Sequence, residues 1–210
     1  MRIGFIGLGN VGAKLAGSLL RNGHDLVVRD LAEGAAAPLL ARGAGWGESP
    51  AAMARDCEVV ITCLPSPEAC AAVVEGEDGL LQGLGPGRIW AEMSTTDAEE
   101  VRRLGALVAG TGAAAADCPV SGGCHRAATG NISILAGCER AAFDRLMPVL
   151  AAMGRRILHT GPLGSASTIK VVTNYLATAN LIAVCEALAV CRGTGTDLAT
   201  AYEAIRVSSG

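Results

Sequence analysis

The chain opens on a short apolar run, Arg2–Ile6, that stops at Gly7-Leu8-Gly9-Asn10-Val11-Gly12. Apolar residues then recur at helical spacing from Val11 to Arg21, and Asn22-Gly23 is a helix stop signal. His24–Arg29 reads as a second strand closing at Asp30. Strand, glycine turn, helix and strand within about 30 residues make a βαβ unit, whose crossover is right-handed and joins parallel strands.

The alternation continues as far as Gly164. Leu31–Arg42 reads as a helix, Gly43–Trp46 as a short strand, and Ser49–Arg55 as a helix with a Ser-Pro start. Cys57–Leu64 is apolar and β-branched, the pattern of a strand covered on both faces, and it stops at Pro65. Pro67–Glu75 reads as a helix, Gly76–Gly87 as a loop, Ile89–Met93 as a strand and Thr96–Gly110 as a helix. Ala113–Asp117, Ile132–Ala136 and Arg156–His159 are further strands, with helix Ala141–Met153 between the last two. This order predicts an α/β fold, a Rossmann-type, doubly wound and mostly parallel sheet.

After Gly164 the texture changes. Ser165–Cys191 is helix-compatible, apolar and free of Pro and Gly, too long for one more crossover helix. It reads as the helix that leaves a first domain, residues 1–164, and starts an all-helical second one, residues 165–210, with Leu198–Val207 as its next helix.

Composition narrows the function classes. Half of the residues are apolar and 18% are charged, enough to bury a core. A net charge of −3 gives no general pull towards nucleic acid or anionic lipid. The longest apolar stretches are broken by polar residues, so no membrane span is expected. Eight cysteines contain no CxxC pair, and His24, His125 and His159 are not grouped at ligand spacing. They are expected as small buried thiols in a reducing compartment, with no metal bound. Met1-Arg2 leads straight into a strand rather than a signal peptide, so a cytoplasmic protein is expected.

The glycine turn carries the first chemistry. A GxGxxG that follows a strand, opens a helix and is answered by an acid after the next strand fits a dinucleotide-binding loop. Gly7 allows the tight turn, Gly9 lets backbone approach a pyrophosphate, and Gly12 lets the helix pack closely. Leu8, Asn10 and Val11 complete the loop, and the helix N-terminus faces the phosphates. Asp30 would accept hydrogen bonds from the adenine-ribose hydroxyls and repel a 2′-phosphate, which favours NAD over NADP. Arg29, a conceivable 2′-phosphate partner, is expected on the other face of its strand.

At Asp117-Cys118-Pro119-Val120-Ser121-Gly122-Gly123 the chain resembles the 3-hydroxyisobutyrate dehydrogenase family, the β-hydroxyacid dehydrogenases. The resemblance runs over essentially the whole chain. Gly7–Gly12 is similar to the cofactor loop of that family, and Leu64-Pro65 to the turn that passes the nicotinamide ribose and pyrophosphate. Ala69 joins the cofactor contacts so implied. Ser94-Thr95 resembles the element near the nicotinamide end, with Thr95 touching the cofactor. Ser121-Gly122-Gly123 resembles the loop that binds the substrate carboxylate. Gly161–Gly164 followed by Lys170 and Asn174 resembles the start of the catalytic helix. Glu92-Met93 stands where the family usually runs Asp-Ser, Cys118 replaces a more usual Ala, and Cys124-His125 follows the glycine pair where small or aliphatic residues are common. Members of the family are also longer, with a C-terminal helical domain largely absent after Gly210.

The resemblance implies oxidation of the primary alcohol of a small 3-hydroxy acid by NAD. Lys170 would be the general base, a role suited to a lysine among apolar neighbours because its charged form is disfavoured. Asn174, four residues on, shares its helical face and would hold the substrate. The Ser121 hydroxyl and the Gly122 and Gly123 N–H groups would hold the carboxylate. A solvated surface lysine is the bland alternative, and Thr168–Leu176 contains no other charge to support it. Ser121 as a nucleophile and Cys124 with His125 as a thiol pair are disfavoured. Imine reductases usually replace the lysine, and 6-phosphogluconate dehydrogenase asks for more basic residues. An NADP(H)-dependent semialdehyde reductase of the same family and a non-catalytic NAD-binding oligomeric scaffold remain the alternatives. The uncovered apolar helix predicts a homo-oligomer, a dimer or tetramer.

Overall fold

The computed structural model describes residues 1–208. The described residues form strands β1 (Arg2–Ile6), β2 (Asp25–Arg29), β3 (Gly45–Trp46), β4 (Val59–Thr62), β5 (Ile89–Glu92), β6 (Ala114–Asp117), β7 (Val120–Ser121), β8 (Ile132–Gly137) and β9 (Gly154–Gly161). The helices are α1 (Gly12–Arg21), α2 (Ala37–Leu40), α3 (Pro50–Asp56), α4 (Pro67–Glu75), α5 (Ala98–Gly110), α6 (Gly123–Ala128), α7 (Arg140–Met153), α8 (Ser165–Gly193) and α9 (Leu198–Val207). One sheet carries them in the order β3-β2-β1-β4-β5-β6-β8-β7, with β9 beside β8. From β3 to β6 every pairing is parallel; β8 turns the sheet antiparallel at its far edge. The Rossmann reading of the sequence is therefore correct.

Alternate residues along each strand feed two cores, one on each face. Ile3, Phe5, Val28 and Ile61 pack with Leu15 and Leu19 of α1. Ile6, Val27, Val60 and Trp90 pack with Leu104 of α5 on the other face. The central strands β4 and β5 are buried at every position, as the unbroken β-branched run of β4 requires. Ser49, Ser66 and Asp97 cap α3, α4 and α5 by accepting backbone N–H groups of the first turn.

Three expectations are corrected. Leu31–Arg42 is not one helix but a 3₁₀ turn at Glu33–Ala36 followed by the single turn of α2. Strand β7 and helix α6 lie in a stretch for which the sequence pattern gave no element. Polar residues also fail to disqualify α8 as a membrane span, since a window of mean hydropathy 1.4 makes this 29-residue helix long and apolar enough to cross a membrane by length and composition. Those two properties equally suit a helix that packs against protein.

The chain divides into two compact units, Met1–Lys170 and Val171–Gly210, so the division falls inside α8. The first holds the sheet and its flanking helices. The second consists of the remainder of α8 and α9, and its apolar side chains Tyr175, Leu181, Ile182 and Val190 are exposed.

Candidate active site and cofactor cavity

The order of strands reverses at β1 and β4, and a crevice opens there beyond their carboxyl ends. It holds a cavity of about 600 Å³. Gly7, Gly9, Asn10, Val11 and Gly12 line it from the β1–α1 turn, and Asp30 from the end of β2. Leu64, Pro65 and Ala69 line it from the β4–α4 turn, and Thr95 from beyond β5. Ser94 lines it beside Thr95, Arg29 lines it against the expectation that it points to the other face of its strand, and Ile6, Leu31, Cys63, Met93 and Val120, which sequence reasoning missed, complete the wall.

The turn has the shape a dinucleotide needs. Gly7 has φ +98°, and a Cβ there would fall 2.3 Å from the Cys63 carbonyl oxygen. A Cβ on Gly12 would fall 2.0 Å from the Gly7 carbonyl oxygen, so the helix can start this close to the strand only with glycine. A Cβ on Gly9 would meet nothing within 4 Å, which leaves open space against bare backbone. Unlike α3, α4 and α5, helix α1 has neither a side-chain cap nor an acid in its first turn. Its N-terminal donors and dipole are thus available to an anion. These residues fit a dinucleotide pyrophosphate.

Leu8 is placed differently from expectation. Its side chain is buried, it does not line the cavity, and its N–H donates to Asp30 Oδ2 at 2.6 Å. Asp30 Oδ1 accepts the Ala32 N–H at 2.9 Å. Each carboxylate oxygen retains a second lone pair, so the fixed carboxylate can still accept a ribose hydroxyl. The Arg29 guanidinium donates to the Gly47 and Glu48 carbonyls at 2.7 and 2.6 Å and stands 5.6 Å from the Trp46 ring. Those contacts occupy it, and a 2′-phosphate would have to compete with them.

None of Ser121, Gly122, Gly123, Lys170 and Asn174 lines the cavity; Val120, the neighbour of Ser121, does. Ser121 ends β7, and Gly122 and Gly123 follow with φ of +132° and +80°, a region that L side chains rarely adopt. Lys170 is 9% exposed, and burial lowers its pKa below the ordinary lysine value. Asn174 lies one turn further along α8, and α8 beyond Lys170 belongs to the second unit.

Asp117 ties the strand that leads into Ser121-Gly122-Gly123 to the start of α8, a role the sequence reading missed. It ends β6, is fully buried, and accepts the Gly164 N–H at 2.8 Å and the Ser167 N–H at 2.6 Å. One carboxylate thereby caps α8 three residues before Lys170 and four residues before Ser121. Its only sequence signal is an acid closing the alanine run of β6.

The thiols show no catalytic setting. All eight cysteines are unpaired; Cys57, Cys70, Cys118 and Cys138 are buried, whereas Cys124 and Cys185 are exposed, against the expectation of buried thiols. Burial pushes Cys57 and Cys138 up to about 11. Among the described residues no group of three or more His, Cys, Asp or Glu could hold a metal ion.

A Rossmann sheet with an uncapped glycine-turn helix at its switch point defines a nicotinamide-dinucleotide-binding oxidoreductase domain. The family model for the NAD binding domain of 6-phosphogluconate dehydrogenase matches residues 2–161, and that for the NAD-binding of NADP-dependent 3-hydroxyisobutyrate dehydrogenase matches residues 164–210. The chain is 36% identical over 209 residues to NAD-dependent L-serine dehydrogenase of Pseudomonas aeruginosa, covering 100% of this chain and 70% of that protein. It is 35% identical over 208 residues to 3-hydroxyisobutyrate dehydrogenase of the same organism, covering 99% of this chain and 70% of that protein. The structure of Mycobacterium tuberculosis 3-hydroxyisobutyrate dehydrogenase with L-serine matches at a TM-score of 0.94 and 29% identity, over 100% of this chain and 71% of that one. The chain thus belongs to the 3-hydroxyisobutyrate dehydrogenase-like family of NAD(P)-dependent β-hydroxyacid dehydrogenases, and it spans about seven-tenths of the length of these relatives.

Proposed function

We propose that the chain oxidises the primary alcohol of a small 3-hydroxy acid of the 3-hydroxyisobutyrate or L-serine kind, with NAD as cofactor. The observation that carries this reading is a buried Lys170 whose helix is capped by Asp117, the residue that also leads into Ser121-Gly122-Gly123. When bound, NAD supplies the hydride acceptor. Neutral Lys170 takes the hydroxyl proton on Nζ, and in the reverse direction its ammonium returns a proton to the forming alkoxide. Asn174 hydrogen-bonds the substrate, while the Ser121 hydroxyl and the Gly122 and Gly123 N–H groups hold the carboxylate. Leu64, Pro65, Ala69 and Thr95 hold the cofactor beside the β1–α1 turn. Asp30 supports NAD rather than NADP, because its carboxylate would oppose a 2′-phosphate. We further propose domains at 1–164 and 165–210, a homo-oligomer and a cytoplasmic location, the last supported by eight unpaired thiols.

The test is NADH formation with NAD and NADP against a panel of 3-hydroxy acids, for wild type and Lys170→Ala. Wild type should turn over at least one 3-hydroxy acid with NAD. The variant should lose about 10²- to 10⁴-fold in kcat while still binding cofactor. Undiminished turnover by Lys170→Ala would refute the assignment, as would a wild type that binds NAD yet oxidises no 3-hydroxy acid.

A further inference from the structure

Behind the cavity wall lies a carboxylate that this mechanism does not use. Glu92 ends β5 and is 1% exposed. Its Oε2 accepts the Thr62 hydroxyl at 2.6 Å, and its Oε1 accepts the Ser94 N–H at 2.6 Å. Trp90 Nε1–H, which can only donate, takes one lone pair of the same Thr62 oxygen at 2.9 Å, while the Thr62 hydroxyl donates to Glu92. Ser94 Oγ in turn accepts the Leu64 N–H at 2.7 Å and lies 3.7 Å from Cys70 Sγ.

Glu92 is therefore met by donors, and among the described residues it forms no ion pair. Burial pushes its pKa up, and the hydrogen bonds from Ser94 and Thr62 oppose that shift. Two donors, the Thr62 hydroxyl and the Ser94 N–H, each meet one oxygen of the carboxylate. Burial first, and then the proximity of Glu92, push the Cys63 thiol at the wall up to about 12. Leu64 and Ser94, the two ends of the network, line the cavity. The charged residues of the wall, Arg29 and Asp30, stand at β2, three strand positions from β5. An uncompensated negative charge behind this part of the wall distinguishes the two redox forms of a nicotinamide, since only the oxidised ring is cationic.

We propose that Glu92 is a positioning residue that fixes the Leu64 and Ser94 turns and, through its charge, tilts the cavity's affinity towards the oxidised cofactor over the reduced one. This rests on the reading that places the nicotinamide end at those two turns.

Isothermal titration of wild type, Glu92→Gln, Glu92→Asp and Thr62→Val with NAD⁺, NADH and ADP-ribose tests it. In Glu92→Gln the affinity for NAD⁺ relative to NADH should fall by roughly tenfold, the scale of one buried charge at the effective dielectric of a protein. ADP-ribose, which lacks the ring, should bind unchanged. Glu92→Asp should keep the wild-type ratio because it keeps the charge. Thr62→Val removes a donor and drives the carboxyl towards its neutral form, so it should shift the ratio in the same direction, and it decides the matter should Glu92→Gln not fold. Equal weakening of NAD⁺ and NADH, as a purely structural role predicts, or an unmoved ratio would overturn the proposal. A wild type that binds neither redox form more tightly than ADP-ribose would overturn it differently, by removing the nicotinamide from these turns. An unmoved ratio in a protein that prefers NAD⁺ to ADP-ribose strikes Glu92 alone.

Discussion

Lys170 has to be neutral to accept a proton, and burial has already lowered its pKa below the ordinary lysine value. The sign of the pH dependence follows. Below the lowered pKa the ammonium dominates, and alcohol oxidation should be slow. As pH rises through that pKa, kcat/KM for oxidation should climb and then level. Reduction of the aldehyde needs the ammonium and should run the other way, falling as pH rises. Initial rates in both directions across pH check this, and parallel profiles would exclude Lys170 as the shared acid and base. Asp30 gives a second prediction. In Asp30→Ala the Leu8 and Ala32 N–H groups lose their acceptor and the ribose loses its partner. NAD affinity should fall by about 10-fold or more, the scale of a hydrogen bond to a charged group. NADP, relieved of repulsion, should lose less, and paired titrations would show a preserved NAD-to-NADP ratio if Asp30 does not discriminate. At this scale the β1–α1 residues of the cavity wall were legible because GxGxxG, its flanking strands and Asp30 are spaced by local geometry. Cys63 and Met93 were not, since strand-end residues join the wall only through the register of β4 against β5.

At the scale of elements, the link between β6 and α8 makes the clearest case. Asp117 places one oxygen on the Gly164 N–H and the other on the Ser167 N–H, both buried. In Asp117→Asn one of these donors would meet an NH₂ group instead of an acceptor. A buried donor left unsatisfied costs about 1–3 kcal/mol. The urea midpoint should therefore drop with little change in slope. Turnover should fall as well, because the cap sets where α8 begins and hence where Lys170 sits. A variant with unaltered midpoint and turnover would show that the cap contributes nothing. The same region explains what the hydrophobic pattern could not reveal. Strand β7 has two residues and α6 has six, too few for either period to register. Within Leu31–Arg42, Gly34 and Pro38 fit a 3₁₀ turn and the first turn of a helix better than one continuous helix. Long elements with a clear period, such as α5 and α8, were legible to within a few residues.

At the scale of the whole molecule the second unit poses a question that its own sequence answers only in part. Tyr175, Leu181, Ile182 and Val190 are each more than half exposed. So many exposed apolar side chains on one helix call for a neighbour, either lipid or protein. Length and hydropathy fit both. The polar residues along α8 separate the two: Thr173, Asn174, Asn180 and the charged Glu186 lie between Lys170 near its start and Arg192 at its end. A membrane span carries a cost for each charge that it buries, up to about 2.5–3.5 kcal/mol at its centre, and Glu186 lies inside the helix. A protein partner can hydrogen-bond such groups. The prediction is self-association: sedimentation should give a mass above the 21.2 kDa of one chain, and Leu181→Glu should shift the distribution towards monomer. Cofactor affinity at the β1–α1 turn should stay unchanged in that variant, because Leu181 lies in the other unit. In parallel, the chain should remain at the bottom of a vesicle flotation gradient. Monomeric sedimentation together with flotation would reverse the assignment, making α8 a lipid-facing helix and its polar residues the cost of that role.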